Sequence, residues 1–375
     1  MQRRNKVLLG AAGVLAAGVT VFALMLSHDA PCPDPDPAAG AVSADGSMRA
    51  LRAHCYGGVE ALRVERVPIP VPADDELLVR VHAAGLNPLD WHVLHGKPYV
   101  MRLSSGFGRP ADARVGVDFS GTVESVGSAV RGFKAGDAVF GARRGAFAEY
   151  MVVREGGAVA HLPDSVDFEQ AAGVPIAATT ALQAVRDAGQ VTSGMHVLIN
   201  GASGGVGSFA VQIAKAMGAE VTGVSSARNT EWVRSLGADH AIDYAVEDFT
   251  TGGPRFDVVI DNVGNHGLSA MRAALKPDGI LVMVTGPKTN NWLGPIGRML
   301  GATLSGYVVS QTQVTVFAET SKADMTVLRD MLAAGHLRAI IDRRFAMDTI
   351  PEAITYLEQG RTRGKNIIVM PTAAH

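Results

Sequence analysis

The stretch His196–Gly207, HVLINGASGGVG, decides the fold of this chain. It begins with a mostly apolar segment typical of a buried strand, and glycines then recur at steps of three residues. Apolar residues return at helical spacing from Val206 to Met217, which predicts one buried face of a helix. A strand, a glycine turn and a helix in this order let the backbone approach a pyrophosphate, whose charge lies at the helix N-terminus. The stretch therefore predicts a dinucleotide-binding unit.

The segment after the next strand bears on which dinucleotide binds. Ala219–Val224 is typical of a second strand, and Ser225-Ser226-Ala227-Arg228 follows it. A site for a nicotinamide dinucleotide without a 2′-phosphate places Asp or Glu about 20 residues after the glycines. Here hydroxyls and a guanidinium stand in that place, and they suit a 2′-phosphate through charge-assisted hydrogen bonds. The sequence favours NADPH, with a polar loop that contains one arginine as the alternative.

Two further apolar segments, Phe256–Asp261 and Gly279–Val284, are typical of buried parallel strands. The turns that follow them begin at Asn262 and Thr285. Ligands of doubly wound sheets bind at the carboxyl ends of the strands, so Asn262 and Thr285 are candidate cofactor contacts. The four segments together predict a Rossmann unit, which is an α/β doubly wound parallel sheet.

The composition of the chain bounds its class. Its 375 residues are enough for two domains, and 47% of them are hydrophobic. The formal net charge of −2 gives no reason to expect a nucleic-acid partner. The two cysteines are too few for a disulfide scaffold or a four-cysteine zinc lobe. We expect Cys55 as a free buried thiol, with a Cys32–Cys55 bridge as the alternative.

The N-terminal segment predicts a membrane anchor. Cationic residues precede an uncharged run over residues 7–26, whose length suits the hydrocarbon core of a bilayer. The run lacks a good cleavage site after it, so an uncleaved single-pass anchor is favoured over a signal peptide. Small residues spaced four apart, at 12/16 and 13/17, suit a homodimer contact between two such spans.

A proline-rich segment continues from the anchor to about Ser47. Its composition predicts a stiff, solvated tether that is not part of the enzyme. Positive charge before the span places the N-terminus in the cytoplasm and the body on the other side. NADPH is an intracellular cofactor, so the side of the membrane stays open.

Further motifs lie outside the glycine turn, in the order Gly85–Trp91, Val115–Val123, Phe133–Val139, Gly145–Tyr150 and Gly360–Lys365. With these motifs, the chain from Met48 onward resembles the medium-chain dehydrogenase/reductase superfamily, in its zinc-free quinone oxidoreductase branch. It is similar there to the reticulon-interacting mitochondrial oxidoreductases and the chloroplast-envelope quinone oxidoreductase homologues. The stretch from Gly96 to Ala113 departs from the pattern of the family.

The resemblance implies an architecture for the whole chain. A Rossmann domain is expected to be inserted into a GroES-like, β-rich catalytic domain, with the transmembrane helix before both. The expected boundaries are 1–46 for the anchor and linker, 47–173 with 320–375 for the catalytic domain, and 174–319 for the NADPH-binding domain.

Zinc-dependent members of the superfamily carry a ligand cysteine where Asn87 stands and a ligand histidine where Val117 stands. Catalytic zinc needs three protein ligands, and these two side chains bind it poorly, so no metal is expected. Asp90, His92 and His95 have a spacing that also suits a metal, but polar residues near a helical turn are the favoured interpretation. Without a Lewis acid, quinones and conjugated enones accept hydride better than isolated carbonyls.

The expected function is therefore an NADPH-dependent oxidoreductase that transfers hydride to a small quinone or α,β-unsaturated carbonyl. Two alternatives stay open. One is a non-catalytic NADPH-binding protein that acts as a membrane-associated sensor or scaffold. The other is an enoyl-thioester reductase.

The resemblance also assigns cofactor contacts. The backbone donors to the pyrophosphate are expected at Ser203, Gly204, Gly205 and Val206. The side chains around the 2′-phosphate are expected to be Ser225, Arg228 and Tyr244, with a half-buried strand-end ring as the alternative for Tyr244. Thr179 lies where the family approaches the nicotinamide carboxamide, although a bond to its own helix is the alternative. Lys365 is expected to close the cleft, with an exposed charge as the alternative.

Asn87 is the leading catalytic candidate. We expect it to donate a hydrogen bond to the substrate oxygen or to the nicotinamide ribose. Tyr99, His92 and His95 are weaker candidates for the proton donor, because they lie in or beside the stretch that departs from the family.

Overall fold

The computed structural model describes residues 20–34, 46–253, 255–284, 291–292, 297–298, 301–302 and 309–371. The strands are β1 Ser47–Ala53, β2 Leu62–Pro68, β3 Glu76–Leu86, β4 Asp118–Val126, β5 Ala138–Ala142, β6 Tyr150–Arg154, β7 Val159–His161, β8 His196–Asn200, β9 Glu220–Ser225, β10 His240–Asp243, β11 Phe256–Asp261, β12 Leu275–Met283, β13 Thr312–Thr315, β14 Ile341–Ala346 and β15 Lys365–Val369. The α-helices are α1 Pro88–His95, α2 Arg102–Ser105, α3 Phe168–Ala172, α4 Pro175–Leu182, α5 Gly205–Ala216, α6 Thr230–Ser235, α7 Leu268–Ala273, α8 Lys322–Ala333 and α9 Ile350–Glu358. A π-helical segment, Gln183–Ala188, extends α4.

The glycine-turn unit lies at the centre of a parallel sheet. The strand order is β10-β9-β8-β11-β12-β13, and each neighbouring pair is parallel. The order reverses beside β8, and ligands of doubly wound sheets bind at this switch point. Helix α5 packs against the sheet through fully buried Phe209 and Ile213. The predicted doubly wound parallel sheet is therefore confirmed.

A second, mostly antiparallel sheet forms the β-rich body, with the order β14-β15-β3-β4-β5-β7 and β6 paired to β3. Strand β15 runs antiparallel to β3, so the C-terminal end of the chain completes a sheet begun by its first half. The resemblance implied a β-rich body, yet α1, α2 and α3 also form between residues 48 and 172. Asn87 and Asp90 make a capping box at the start of α1, and Pro88 takes its first position. The boundaries 47–173 with 320–375, and 174–319, stay a proposal.

The sequence predicted a transmembrane helix over residues 7–26 and a single-pass membrane location, and these predictions are wrong. Across the described ranges, no helix is both long and apolar enough to cross a bilayer. The described part of the run is helical over residues 20–27, and its Leu26 is buried. The prediction rested on the apolar composition and length of the run, and neither shows what a helix packs against. Residues 7–19, with the 12/16 and 13/17 pairs, lie outside the described residues.

Residues 26–34, here called the N-terminal strap, lie against the β-rich body. The strap includes residues 31–34 of the predicted tether, and residues 35–45 of that tether lie outside the described residues. Cys32 is joined to Cys55 by a disulfide with a Cα–Cα distance of 4.9 Å, within the range that such bonds span. The expectation of a free Cys55 thiol is therefore wrong. Ala30 N donates to Gly108 O at 2.8 Å, which fixes the middle of the strap to the stretch that departs from the family.

The strap also closes over a buried cation. The Arg102 side chain has no exposed surface, and its Nη2 donates to Asp29 Oδ1 at 2.6 Å. Its Nη1 donates to Leu26 O at 2.9 Å and to His28 O at 3.0 Å. A buried guanidinium needs these acceptors, because desolvation without partners costs several kcal/mol. The departure from the family between residues 96 and 113 thus coincides with the docking surface of the strap.

Removing the disulfide should lower the stability of the protein. Cys32→Ser and Cys55→Ser should each reduce the free energy of unfolding by up to about 3 kcal/mol, because the 23-residue separation of the cysteines is no longer constrained in the unfolded chain. Urea unfolding of the variants and of the reduced wild type measures this. The double variant should match the single ones. An unchanged unfolding midpoint on reduction would contradict the pairing.

Asp29→Asn should also destabilise the protein, by about 1–2 kcal/mol, since it leaves the Arg102 charge buried while Asp29 itself is half exposed. Asp34→Asn removes an exposed acid from the same strap and serves as the control. Urea midpoints of the two variants are compared under non-reducing conditions. Equal midpoints for both would show that the Asp29–Arg102 pair does not hold the strap.

Candidate functional site

The glycine turn forms a backbone cradle at the end of β8. Gly201 has a φ of +78°, in the left-handed region that favours glycine. A Cβ on Gly207 would lie 2.1 Å from Gly201 O, so a side chain there would collide with the backbone of the turn. Helix α5 begins at Gly205, and the N–H groups of its first turn lack intrahelical acceptors. The cradle therefore fits a diphosphate at a helix N-terminus.

Not all of the backbone N–H groups predicted to bind the pyrophosphate are free to do so. Gly204 N donates to Gly201 O at 3.0 Å, so this amide is used within the turn. Gly205 and Val206 lie in the first turn of α5, where N–H groups are open to a ligand. Ser203 O accepts from Gly364 N at 3.0 Å, which ties the turn to the segment before β15.

The residues predicted around a 2′-phosphate lie at the carboxyl ends of β9 and β10. Tyr244 N donates to Ser225 O at 3.1 Å, which brings these two together. Arg228 lies in the helical turn after β9, and its Nη2 donates to Arg361 O at 3.2 Å. Tyr244 is 61% exposed, so it is not the half-buried ring of the alternative interpretation.

Four buried side-chain oxygens of the described residues lack a hydrogen-bond partner, and two of them lie on α4 and directly after β11. One is Thr179 Oγ1, on α4. The neighbouring Thr180 donates to Ile176 O at 2.7 Å, so the bond to its own helix belongs to Thr180 and not to Thr179. The other is Asn262 Oδ1, whose Nδ2 donates to Asn200 O at 3.0 Å. Such unpaired groups are rare in native structures, and a bound ligand would explain both.

Asp261 holds the Asn262 loop in place, and the sequence analysis missed it. Its Oδ1 accepts from Asn200 Nδ2 at 2.8 Å, from Val263 N at 3.1 Å and from Gly264 N at 3.0 Å. Arg298 Nη1 lies 2.7 Å from its Oδ2. The sequence signal for Asp261 was an acid at the end of a buried apolar strand, because a buried carboxylate needs hydrogen-bond partners within the protein.

Tyr99 and Thr285 were also predicted at the site. Thr285 lies outside the described residues. Tyr99 N donates to Asn291 O at 2.7 Å, and the Tyr99 ring centroid lies 5.0 Å from that of Trp292. Tyr99 therefore packs the segment after α1 against residues 291–292, and its role as a proton donor stays a prediction.

Asn87 lies in a buried network at the end of β3. Its Nδ2 donates to Asp118 Oδ2 at 2.9 Å and to Gly85 O at 3.4 Å, while its Oδ1 accepts from Lys365 Nζ. The amide orientation follows from its neighbours, since a carboxylate only accepts and an ammonium only donates. Both amide hydrogens are thus used inside the protein. The expectation that Asn87 donates to the substrate oxygen or the ribose is revised accordingly.

Lys365 and Asp118 form the charged part of this network. Lys365 Nζ lies 3.6 Å from Asp118 Oδ2, and the two side chains are 3% and 0% exposed. The alternative of an exposed charge at Lys365 is therefore wrong. Burial lowers the pKa of Lys365, while Asp118 and Asp90 oppose that shift. Burial raises the pKa of Asp118, against the effect of Lys365. Burial likewise raises the pKa of Asp90 to about 7.

The candidate metal-binding side chains point to separate partners. His92 Nδ1 lies 2.8 Å from Lys97 O, and His95 Nε2 lies 2.7 Å from Glu358 Oε1. Asp90 Oδ2 accepts from Asn87 N at 2.7 Å. Among the described residues, no cluster of three His, Cys, Asp or Glu side chains suits a metal ion. The ammonium of Lys365 lies against Asn87, so this donor set does not fit a divalent cation.

Two models of known protein families match this chain, one in each half of the sequence. A family model described as Alcohol dehydrogenase GroES-like domain matches residues 73–164, and one described as Zinc-binding dehydrogenase matches residues 236–368. Each match covers one part of the chain. Together they include β3 and β15, which carry the network.

Relatives match along most of the chain. The 2-methylene-furan-3-one reductase of Solanum lycopersicum is 34% identical over 87% of this chain and 80% of its own length. The mitochondrial NAD(P)H oxidoreductase RTN4IP1 of Bos taurus is 34% identical over 84% and 87%. The chloroplast envelope quinone oxidoreductase homolog of Arabidopsis thaliana is 31% identical over 86% and 98%.

Solved structures agree with this assignment. The quinone oxidoreductase from Coxiella burnetii has a TM-score of 0.74 and 30% identity, covering 87% of this chain and all of that one. The Escherichia coli quinone oxidoreductase complexed with NADPH has a TM-score of 0.72 and 25% identity, covering 86% and 99%. This chain therefore belongs to the medium-chain dehydrogenase/reductase superfamily, in its quinone oxidoreductase branch.

Proposed function

We propose that this chain binds NADPH in the glycine cradle and reduces quinones or α,β-unsaturated carbonyls. The observation that carries the proposal is the pair of unpartnered buried oxygens, Thr179 Oγ1 and Asn262 Oδ1, in the elements around the cradle. A ligand with its own hydrogen-bonding groups would satisfy both.

The residues of the cradle fit a nicotinamide dinucleotide. The N–H groups of Gly205 and Val206 would hold the pyrophosphate, as in other helix N-terminal anion sites. Ser225, Arg228 and Tyr244 would surround the 2′-phosphate, since the end of β9 carries hydroxyls and a guanidinium in place of an acid. When bound, the cofactor supplies hydride. The similar Escherichia coli quinone oxidoreductase was solved as a complex with NADPH, which supports the same choice.

The choice of acceptor follows from the chemistry beside the cradle. The side chains around Asn87 do not fit zinc, so the proposed reaction uses no zinc ion as a Lewis acid. A quinone or conjugated enone spreads the incoming negative charge over its π system, and a cation or hydrogen-bond donor is enough to stabilise it. The names of the relatives, a 2-methylene-furan-3-one reductase and quinone oxidoreductases, support this class. Placement and exclusion of water are then the main tasks of the protein.

An acceptor panel tests the proposed function directly. The full chain should oxidise NADPH in the presence of a small para-quinone and of an α,β-unsaturated ketone. The saturated ketone of the same skeleton is the matched control and should react at least about 100-fold more slowly, because its charge cannot delocalise. NADPH absorbance measures the rates, with and without a chelator.

Three outcomes would contradict the proposal. NADPH binding without turnover of any acceptor would support a sensor. A preference for an enoyl thioester over both other acceptors would support an enoyl reductase. A rate abolished by the chelator would show that a metal takes part.

Arg228→Ala should weaken NADPH binding about 10- to 100-fold and leave NADH binding within about twofold, because it removes one charge-assisted hydrogen bond to a 2′-phosphate. Arg234→Ala, on the following helix and paired with Glu231, is the matched control and should change neither affinity. Fluorescence titration with each dinucleotide gives the dissociation constants. An equal loss of affinity for NADPH and NADH would rule out Arg228 as a 2′-phosphate contact.

A further inference from the structure

The ammonium of Lys365 is buried beside the glycine turn, where desolvation of a charge is costly unless it has partners. Its side chain is 3% exposed, and its stem lies against the glycine turn, since a Cβ on Gly205 would lie 3.4 Å from Lys365 Cδ. Its Nζ meets Asn87 Oδ1 at the other end. Lys365 therefore spans from the dinucleotide cradle to the position that carries a zinc ligand in metal-dependent relatives.

The ammonium keeps donor capacity for a ligand. It carries three N–H groups, and the protein acceptors that contact it are Asn87 Oδ1 and Asp118 Oδ2. Asn87 itself offers nothing further, because both of its amide hydrogens are donated to Asp118 and Gly85. Among the described residues of this network, Lys365 is thus the group with an N–H beyond those that its two acceptors take up.

Asp118 fixes the other members of the network. Its Oδ2 accepts from Asn87, and its Oδ1 accepts from Ile176 N at 3.0 Å, near the start of α4. One carboxylate on β4 thereby ties together the end of β3, the start of β15 and the helix that carries Thr179. Removing one partner of a buried ion pair leaves an uncompensated charge, so the position of Lys365 depends on Asp118.

We propose that Lys365 is a catalytic residue for acceptor reduction, and that Asp118 and Asn87 are its positioning residues. The inference rests on the proposed function and adds to it the group that replaces the missing Lewis acid. A fixed cation in a water-poor site stabilises negative charge far more than it would in water.

The step balances for an enone as follows. Hydride forms a C–H bond at the β-carbon, and the π pair of the C=C bond shifts so that the carbonyl oxygen becomes an enolate oxygen. Lys365 Nζ donates a hydrogen bond to this oxygen and then transfers its proton, which leaves a neutral amine and an enol. The enol tautomerises to the ketone, and the amine regains a proton from solvent. A quinone takes up hydride and proton in the same way to give a hydroquinone.

Lys365→Met tests this role in the full chain. With a para-quinone or an enone at saturating NADPH, kcat should fall about 100- to 1,000-fold, while the NADPH dissociation constant measured by fluorescence stays within about threefold. Lys365→Arg keeps the charge but does not release a proton, so its kcat should exceed that of Lys365→Met and stay below about a tenth of the wild-type value. Lys134→Met removes an exposed lysine and is the control.

Asp118→Asn tests positioning through the pH profile of kcat. The charged groups that face Lys365 are Asp118 and Asp90. The charge of Arg144 in turn lowers the pKa of Asp90. Loss of the Asp118 charge lowers the pKa of Lys365 further, so the alkaline fall in kcat should move to lower pH than in the wild type. An NADPH titration of the variant shows that it is folded. A reduced kcat with an unmoved alkaline limb would overturn the positioning role.

The results separate the two levels of the proposal. If the wild type reduces acceptors and Lys365→Met does so equally fast, the inference about Lys365 fails and the proposed function stands. If Lys365→Met binds NADPH more than tenfold more weakly at unchanged kcat, Lys365 serves the cofactor and not the acceptor, which also overturns the inference. If the wild type reduces no acceptor, the proposed function fails, and the catalytic role of Lys365 fails with it.

Discussion

The ion pair between Lys365 and Asp118, buried and bridged by Asn87, is the constraint on which the site depends. Such a pair is stable only if the backbone brings its partners together from distant parts of the chain. The pairing of β15 with β3 does this, because it sets the start of the last strand beside the end of β3. Gly364, with a φ of +74°, makes the turn into β15 and bonds to the glycine cradle at Ser203. The cofactor cradle and the charged network are therefore parts of one structure.

The N-terminal strap adds a second constraint that the resemblance did not contain. It brings Asp29 to the buried Arg102, on the stretch where this chain departs from its family, and it joins Cys32 to Cys55. That stretch begins directly after α1, whose first turn is capped by Asn87 and Asp90. The strap thus stabilises a region that adjoins the network, although it lies far from it in sequence.

The sequence predicted the local structure well and the long-range contacts poorly. The bounds of β8 and β11 are as predicted, because apolar runs and glycine turns are local signals. Asp118 lies within one of the family motifs, but its partners are at residues 87, 176 and 365. Hydrophobic periodicity does not predict such long-range contacts. Asn87 was identified as a site residue, yet its donors proved to be used internally, which only the geometry shows. The prediction of a membrane span rested on the hydropathy and length of the N-terminal run, which do not show whether one long helix forms.

Hydrogen–deuterium exchange with and without NADPH tests the central claim most directly, because it reports where the ligand meets the backbone. The account predicts slower exchange in peptides that cover residues 201–207, 262–264 and 363–366, and unchanged exchange in the N-terminal strap and in β1 and β2. Protection elsewhere, with no change in the glycine turn, would contradict the assignment of the dinucleotide site.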